Sequence, residues 1–144
     1  MFVILKAQDT YKVRQQELRI GKPIETCVFI GDDLPTTYHF GYKIETEIIG
    51  VVSAFKQDNK LFDYENQYQI RGMAVLNQYQ GTGIGKKLFI EMEQFLITLG
   101  INLIWFNARK IALPFYQNIS CELIGDSFEI EDVGTHYLMF KKIQ

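Results

Sequence analysis

Gln80-Gly81-Thr82-Gly83-Ile84-Gly85-Lys86-Lys87 is the stretch on which the reading of this chain turns, because it puts three glycines and two lysines at one joint between elements. Downstream, Ile84, Leu88, Met92, Phe95, Leu96 and Leu99 recur at helical spacing, and Gly100 supplies a C-terminal stop, so a helix is expected over 84–99. Upstream, Gln67 to Leu76 reads as a strand interrupted by Gly72, where a missing side chain marks a bulge or a close approach by another backbone or a ligand. Beyond the helix, Leu103-Ile104-Trp105-Phe106 is a continuous apolar run of the kind found in a strand covered on both faces. Strand 67–76, helix 84–99 and strand 102–107 therefore form a βαβ unit with parallel strands and a right-handed crossover.

Glycine at 81, 83 and 85 lets the backbone bend sharply and exposes N–H groups that a helix start leaves unpaired. Such an end attracts phosphate through its free donors and its positive dipole. Lys86 and Lys87 oppose that dipole unless an anion sits beside them, so the turn reads as a phosphate cradle. Two common phosphate loops do not fit it. GxxxxGK[ST] needs glycine where Gln80 stands and Ser or Thr where Lys87 stands. GxGxxG, started at Gly81 and Gly83, needs glycine at Lys86 and a place after the first strand of a doubly wound sheet.

Working outward, Thr37 to Ile44 alternates cleanly, with Tyr38, Phe40, Tyr42 and Ile44 on one face, and pairs with the β-branched run Ile48 to Phe55 as an antiparallel hairpin. Phe2 to Lys6 suits a short strand, Thr10 to Ile20 an amphipathic helix, and Cys27 to Ile30 a short strand between loops. Lys110 to Gln117 suits a short helix limited by Pro114, and Cys121 to Ile124 and Tyr137 to Lys142 read as strands around a turn-rich acidic stretch. The chain is α/β with a mixed sheet and shows no internal repeat or linker.

The 144 residues, 47% of them apolar, suit a single domain spanning 1–144. A net charge of -2 and scattered Lys and Arg give no surface for nucleic-acid phosphates. No apolar run approaches the roughly 20 residues of a bilayer-spanning helix, and Met1 to Lys6 lacks the basic leader of a signal peptide. A cytoplasmic protein without membrane attachment is expected. Cys27 and Cys121 form no CxxC pair, so they read as isolated reduced thiols, with neither disulfide nor metal site indicated.

Gln80, Gly83 and Gly85 satisfy [Q/R]xxGx[G/A], which resembles the pyrophosphate-binding motif of the GNAT acetyltransferase superfamily, where it follows the fourth strand and opens the third helix. Phe106-Asn107-Ala108-Arg109, with Ala112-Leu113-Pro114-Phe115-Tyr116-Gln117-Asn118, resembles that family's second signature, and Gly134-Thr135-His136-Tyr137-Leu138-Met139 looks like a closing strand of some members. The resemblance covers roughly residues 37–144. It departs at Ser120-Cys121, where many members carry Gly-Phe.

The resemblance implies a mixed, mostly antiparallel sheet of about six or seven strands with about four helices, a central parallel βαβ unit and a splayed strand pair. It implies transfer of an acetyl group from acetyl-CoA to a primary amine by direct attack in a ternary complex, and leaves room for a homodimer. Met73, Ala74 and Val75 would pair with the pantetheine arm, Gln80, Gly81, Thr82, Gly83, Ile84, Gly85 and Lys86 would wrap the pyrophosphate, and Asn107 would lie near the cofactor arm. Tyr116 corresponds to the tyrosine that protonates the leaving thiolate, a task within reach of a phenol at neutral pH. His136 is the candidate base, with His39, Glu47, Glu129 and Arg71 as further candidates, or water in their place.

Read without the family, Tyr116 is an aromatic packed on Phe106 and Phe115, and His136 a hydrogen-bonding residue ahead of a strand. Cys121 admits a covalent route, but no basic neighbour in sequence lowers its pKa. The acceptor pocket would be built from the first helix, the loop near Gly31 to Pro35 and the final hairpin. Acidic residues there, Asp32, Asp33, Asp126, Glu129, Glu131 and Asp132, suit either a cationic amine or a solvated surface. The alternative function is a non-catalytic acyl-CoA-binding module.

Overall fold

The computed structural model describes all residues, Met1–Gln144. Strands β1 (Phe2–Leu5), β2 (Tyr38–Ile44), β3 (Glu47–Lys56), β4 (Gln67–Val75), β5 (Leu103–Arg109), β6 (Glu122–Ile130) and β7 (Gly134–Lys142) form one seven-stranded sheet in the order β1-β2-β3-β4-β5-β7-β6. Helices α1 (Tyr11–Glu17), α2 (Ile84–Thr98) and α3 (Leu113–Asn118) flank it, and α1 and α3 each follow a single 3₁₀ turn. Only β4 and β5 run parallel. This is the mixed, mostly antiparallel architecture expected, with its central βαβ unit at β4-α2-β5.

The helix opened by the glycine turn buries Leu88, Phe89, Met92 and Leu96 against Phe40, Val52, Ala54, Ile70, Ile104 and Phe106 on one face of the sheet. On the other face, Val13 of α1 meets Ile49, Val51, Ala74 and Leu76. Burial of such side chains stabilises by about 1.5–3 kcal/mol each relative to exposure, so α2 is the principal clamp on the sheet.

The expected strand at Cys27 to Ile30 does not form. Ile24–Cys27 is a 3₁₀ turn, and the chain beyond it is held by side chains rather than by a ladder. Arg14, fully buried, donates from Nη1 and Nη2 to the two Asp32 carboxylate oxygens at 2.7 and 3.1 Å, to Cys27 O at 2.8 Å and to Ser53 Oγ at 3.0 Å. The Phe29 N–H donates to the same carboxylate at 2.8 Å. The helix expected to reach Ile20 stops at Glu17, because Leu18 and Arg19 both donate back to Arg14 O and close a tight end.

Gly72 interrupts β4 as expected. Its φ of +66° lies in the left-handed region, and the register with β3 slips between Val51 and Ser53, so Gly72 and Met73 form a bulge. The parallel pairing with β5 ends close by: Gln67, Tyr68 and Gln69 pair with Leu103, Ile104 and Trp105, and nothing beyond them pairs. β4 continues along β3, β5 continues along β7, and the two part company.

Candidate active site

The gap between the parting strands is the centre of the site. On the side of the glycine turn a cavity of about 690 Å³ is lined by Met73, Ala74 and Val75 of β4, by Gln80, Gly81, Gly83, Gly85 and Lys86 of the turn, and by Phe115 and Tyr116 of α3. The turn is built for an anion. Gly81 and Gly83 have φ of +77° and +87°, and a side chain added at either would meet nothing within 4 Å. Their Cβ-free faces are therefore open, and neither Gly81, Thr82 nor Gly83 donates a backbone hydrogen bond within the chain. The ladder of α2 starts with Lys87 N–H to Gly83 O at 3.1 Å, leaving the earlier donors outside it.

Gln80 fixes this turn to the strand before it: its side-chain amide donates to Val75 O at 2.9 Å and approaches Glu17 of α1 at 3.4 Å. Thr82 closes the turn through its hydroxyl, which donates to Tyr79 O at 2.6 Å. Ile84 turns towards the apolar layer under α1. Thr82 and Ile84 thus shape the turn, while Gly81, Gly83, Gly85 and Lys86 line the cavity. Gly85 has its own constraint, since a side chain there would come within 3.3 Å of the Phe115 ring.

A second cavity, of about 450 Å³, opens on the β5 side. Arg71, Gly72, Met73, Asn107, Arg109, Ile111 and His136 line it, along with Leu18 and Tyr116. Tyr116, Met73, Gln80, Leu18 and Ala112 border both cavities. Tyr116 is held by rings on three sides, with Phe106 at 4.4 Å, Phe115 at 5.1 Å and Phe89 at 6.0 Å between centroids. Burial, with a smaller contribution from nearby Cys121, pushes its phenol pKa well up, so the hydroxyl keeps its proton. Packing partner and boundary residue are therefore the same side chain.

His136 is buried on β7, opposite Arg109 of β5, and its Nδ1 lies 2.8 Å from Gly134 O. A carbonyl only accepts, so Nδ1 carries a proton, and in the neutral ring the lone pair is on Nε2. His39 has the other arrangement. Its Nε2 donates to Asp32 O at 2.8 Å, its Nδ1 accepts from the Ser53 hydroxyl at 2.6 Å, and it borders neither cavity. His39 is therefore corrected as a candidate base: the Arg14–Asp32 network engages both of its ring nitrogens. Glu47 stands exposed at the β2-β3 turn, and Glu129 is exposed on β6 and accepts from the Thr135 hydroxyl at 2.6 Å.

The acidic residues read as a hint of a cationic amine line neither cavity. Asp32 is buried and bound to Arg14, and Asp33, Asp126, Glu129, Glu131 and Asp132 are exposed. Sequence reasoning quoted Arg109 only within the second signature, without a role, and ranked Arg71 only among possible bases. The signal was the position of Arg71 beside the bulge glycine and of Arg109 two residues past Asn107, which places both on the α1 face of the diverging strands. Cys121 is buried, lines neither cavity, and has its thiol pushed up to about 12 by burial, with Glu93 adding to the shift and Lys141 opposing it.

A strand pair that opens beside a bulge, facing a glycine-rich helix start, is the arrangement expected of an acetyl-CoA-dependent acetyltransferase. The chain belongs to the acetyltransferase (GNAT) family, whose model matches residues 6–119. The match reaches further towards the N-terminus than the motifs alone and stops before the last hairpin. Among its relatives, the chain is 29% identical over 140 residues to the uncharacterized N-acetyltransferase YitI of Bacillus subtilis strain 168, covering 97% of this chain and 94% of that one.

Its fold is similar to that of an aminoglycoside 6'-N-acetyltransferase solved with coenzyme A, with a TM-score of 0.81 at 11% identity, covering 100% of this chain and 97% of the other. It is also similar to the ribosomal-protein-S18-alanine N-acetyltransferase of Escherichia coli, with a TM-score of 0.73 at 16% identity over 99% and 94% of the two chains. Acetyl-CoA is the acyl donor of this enzyme. The open turn, its unpaired donors and Lys86 fit the pyrophosphate of that cosubstrate.

Proposed function

We propose that this chain, as one domain, moves the acetyl group of acetyl-CoA to a primary amine by direct attack, with both substrates bound at once. The observation that carries this reading is the meeting of two cavities at Tyr116, one under the phosphate turn and one on the side of His136. The free edge of β4 at Met73, Ala74 and Val75 pairs with the pantetheine arm, and an N–H there polarises the thioester oxygen as negative charge develops on it. Gln80, Gly81, Thr82, Gly83, Ile84, Gly85 and Lys86 form and anchor the pyrophosphate cradle. Asn107 faces the arm from β5.

The amine enters from the second cavity. His136 Nε2 takes its proton, and Tyr116 supplies a proton to the departing thiolate. A phenol whose pKa burial has raised is protonated throughout the neutral range, which is the form an acid needs. A covalent acetyl-cysteine route is disfavoured because Cys121 is a buried, protonated thiol that lines neither cavity.

Release of free coenzyme A thiol over a panel of amines tests the reading. Turnover that falls about 10²-fold or more in Tyr116→Phe, with acetyl-CoA affinity unchanged, is expected. Tight acetyl-CoA binding with no turnover on any amine would instead mark a binding module and refute the catalytic account.

A further inference from the structure

The second cavity holds charge of only one sign. Arg71 and Arg109 line it, and no Asp or Glu does. Arg71 is half-buried, forms no ion pair and donates no side-chain hydrogen bond. Its guanidinium lies 4.9 Å from the centre of the Phe29 ring and 5.2 Å from that of Phe55. Contacts of this kind favour a cation and hold its plane while leaving N–H donors unused. The carboxylate that could neutralise it, Asp32, is already taken by both Nη atoms of Arg14 and by the Phe29 N–H.

Arg14 pairs with Asp32, and Lys141 with Glu93 at 2.6 Å. Arg71, like the half-buried Arg19 and Lys43, has no carboxylate partner, and of these three it alone lines the second cavity. Burial and the nearby Arg14 and Arg19 all disfavour its charge, and only Asp32 supports it. A half-buried guanidinium with no protein acceptor, on a residue that lines a cavity, is available to pair with an anion that enters it.

We propose that the acceptor amine carries a carboxylate, held by Arg71 with Arg109 beside it, so that the substrate is an amino acid or a compound of that class. The proposal rests on the reading above, in which the amine occupies this cavity. A planar carboxylate matches the guanidinium fork, and the two arginines hold that end of the acceptor while its amine faces Tyr116 and the thioester. Arg71 is then a specificity residue, acting on acceptor binding and not on acetyl-CoA.

The experiment measures coenzyme A release with amino acids, their carboxamides, their decarboxylated amines and O-phosphoethanolamine. The expected result is at least one amino acid used about tenfold or more better in kcat/KM than its amide and its decarboxylated amine. Arg71→Gln should raise KM for that acid about 10- to 100-fold while leaving KM for acetyl-CoA and for the amide unchanged. Arg71→Lys should recover part of the loss, and Arg109→Gln should have a smaller effect of the same kind. Equal use of acid and amide, a preference for O-phosphoethanolamine, or an Arg71→Gln defect that is the same for acid and amide would overturn the carboxylate assignment and leave the acetyltransferase reading standing. Acetyl-CoA binding with no turnover on any acceptor would overturn both.

Discussion

Tyr116 combines two properties that usually exclude one another, a place in an aromatic cluster and a border on two cavities. Tyr116→Phe keeps the ring contacts and removes only the hydroxyl, so thermal stability should change little while kcat collapses. A fall in stability as large as the fall in activity would make the hydroxyl structural. Cys121 provides the contrast. Cys121→Ala should retain transfer, and the wild-type thiol should resist alkylation at pH 8 in the folded protein, because burial keeps it protonated. Rapid modification accompanied by loss of activity would contradict this.

The place of Tyr116 at the border of the two cavities was legible in sequence only through the signature around it, since an aromatic beside others reads first as core. The partners of His39 and Asp32 were not legible at all. They come from α1, β2, β3 and an irregular loop, and no local pattern brings such distant positions together.

At the level of elements, the joint between β4 and α2 depends on backbone geometry that side chains disturb. Gly83→Ala places an L-residue at φ +87° and should cost about 1–2 kcal/mol through strain, with weaker acetyl-CoA binding as the loop relaxes. Calorimetric titration with coenzyme A measures the binding loss, and an unchanged affinity would show that the turn does not hold the phosphates. Lys86→Gln should weaken coenzyme A binding and reduce its salt dependence, without altering the melting temperature by more than a degree or so. This joint was the most readable part of the chain, because helical period, strand composition and glycine spacing all pointed the same way. The segment from Cys27 to Ile30 misled for the opposite reason. Four apolar residues in a row imitate a strand, but here Cys27 and Phe29 are buried while Val28 and Ile30 are exposed, and a buried Arg–Asp pair replaces the ladder.

Across the whole molecule, that pair ties α1 and the loop after it to the centre of the sheet. Arg14→Met leaves the Asp32 carboxylate buried without its main partner, and should destabilise by about 3–5 kcal/mol in urea unfolding. Asp32→Asn in the same background should recover part of that loss by removing the orphaned charge. Stability should also fall in alkali. The Cys121 thiol, with an ordinary value of 9.0, is held at about 12 in the fold, so the unfolded chain loses this proton first and is stabilised relative to the folded one as pH climbs past 9. The Tyr116 phenol adds to the trend above its ordinary value of 10.0. The urea midpoint should drop between pH 8 and 10.5, and Cys121→Ala should flatten the drop.

Only three residue pairs join β4 to β5, and past them the edge of β4 from Ile70 onward has no neighbour on that side. On the proposed reading, the pantetheine arm lies along that edge as a surrogate strand, so the cosubstrate is a structural member of the sheet as well as its reagent. Saturation at a hundred times the dissociation constant would add about 2.7 kcal/mol to folding stability. The gain should be concentrated in slower amide exchange at residues 71–75 and along the facing stretch of β5. The enzyme would then be most rigid when loaded and should loosen along this seam once the product coenzyme leaves.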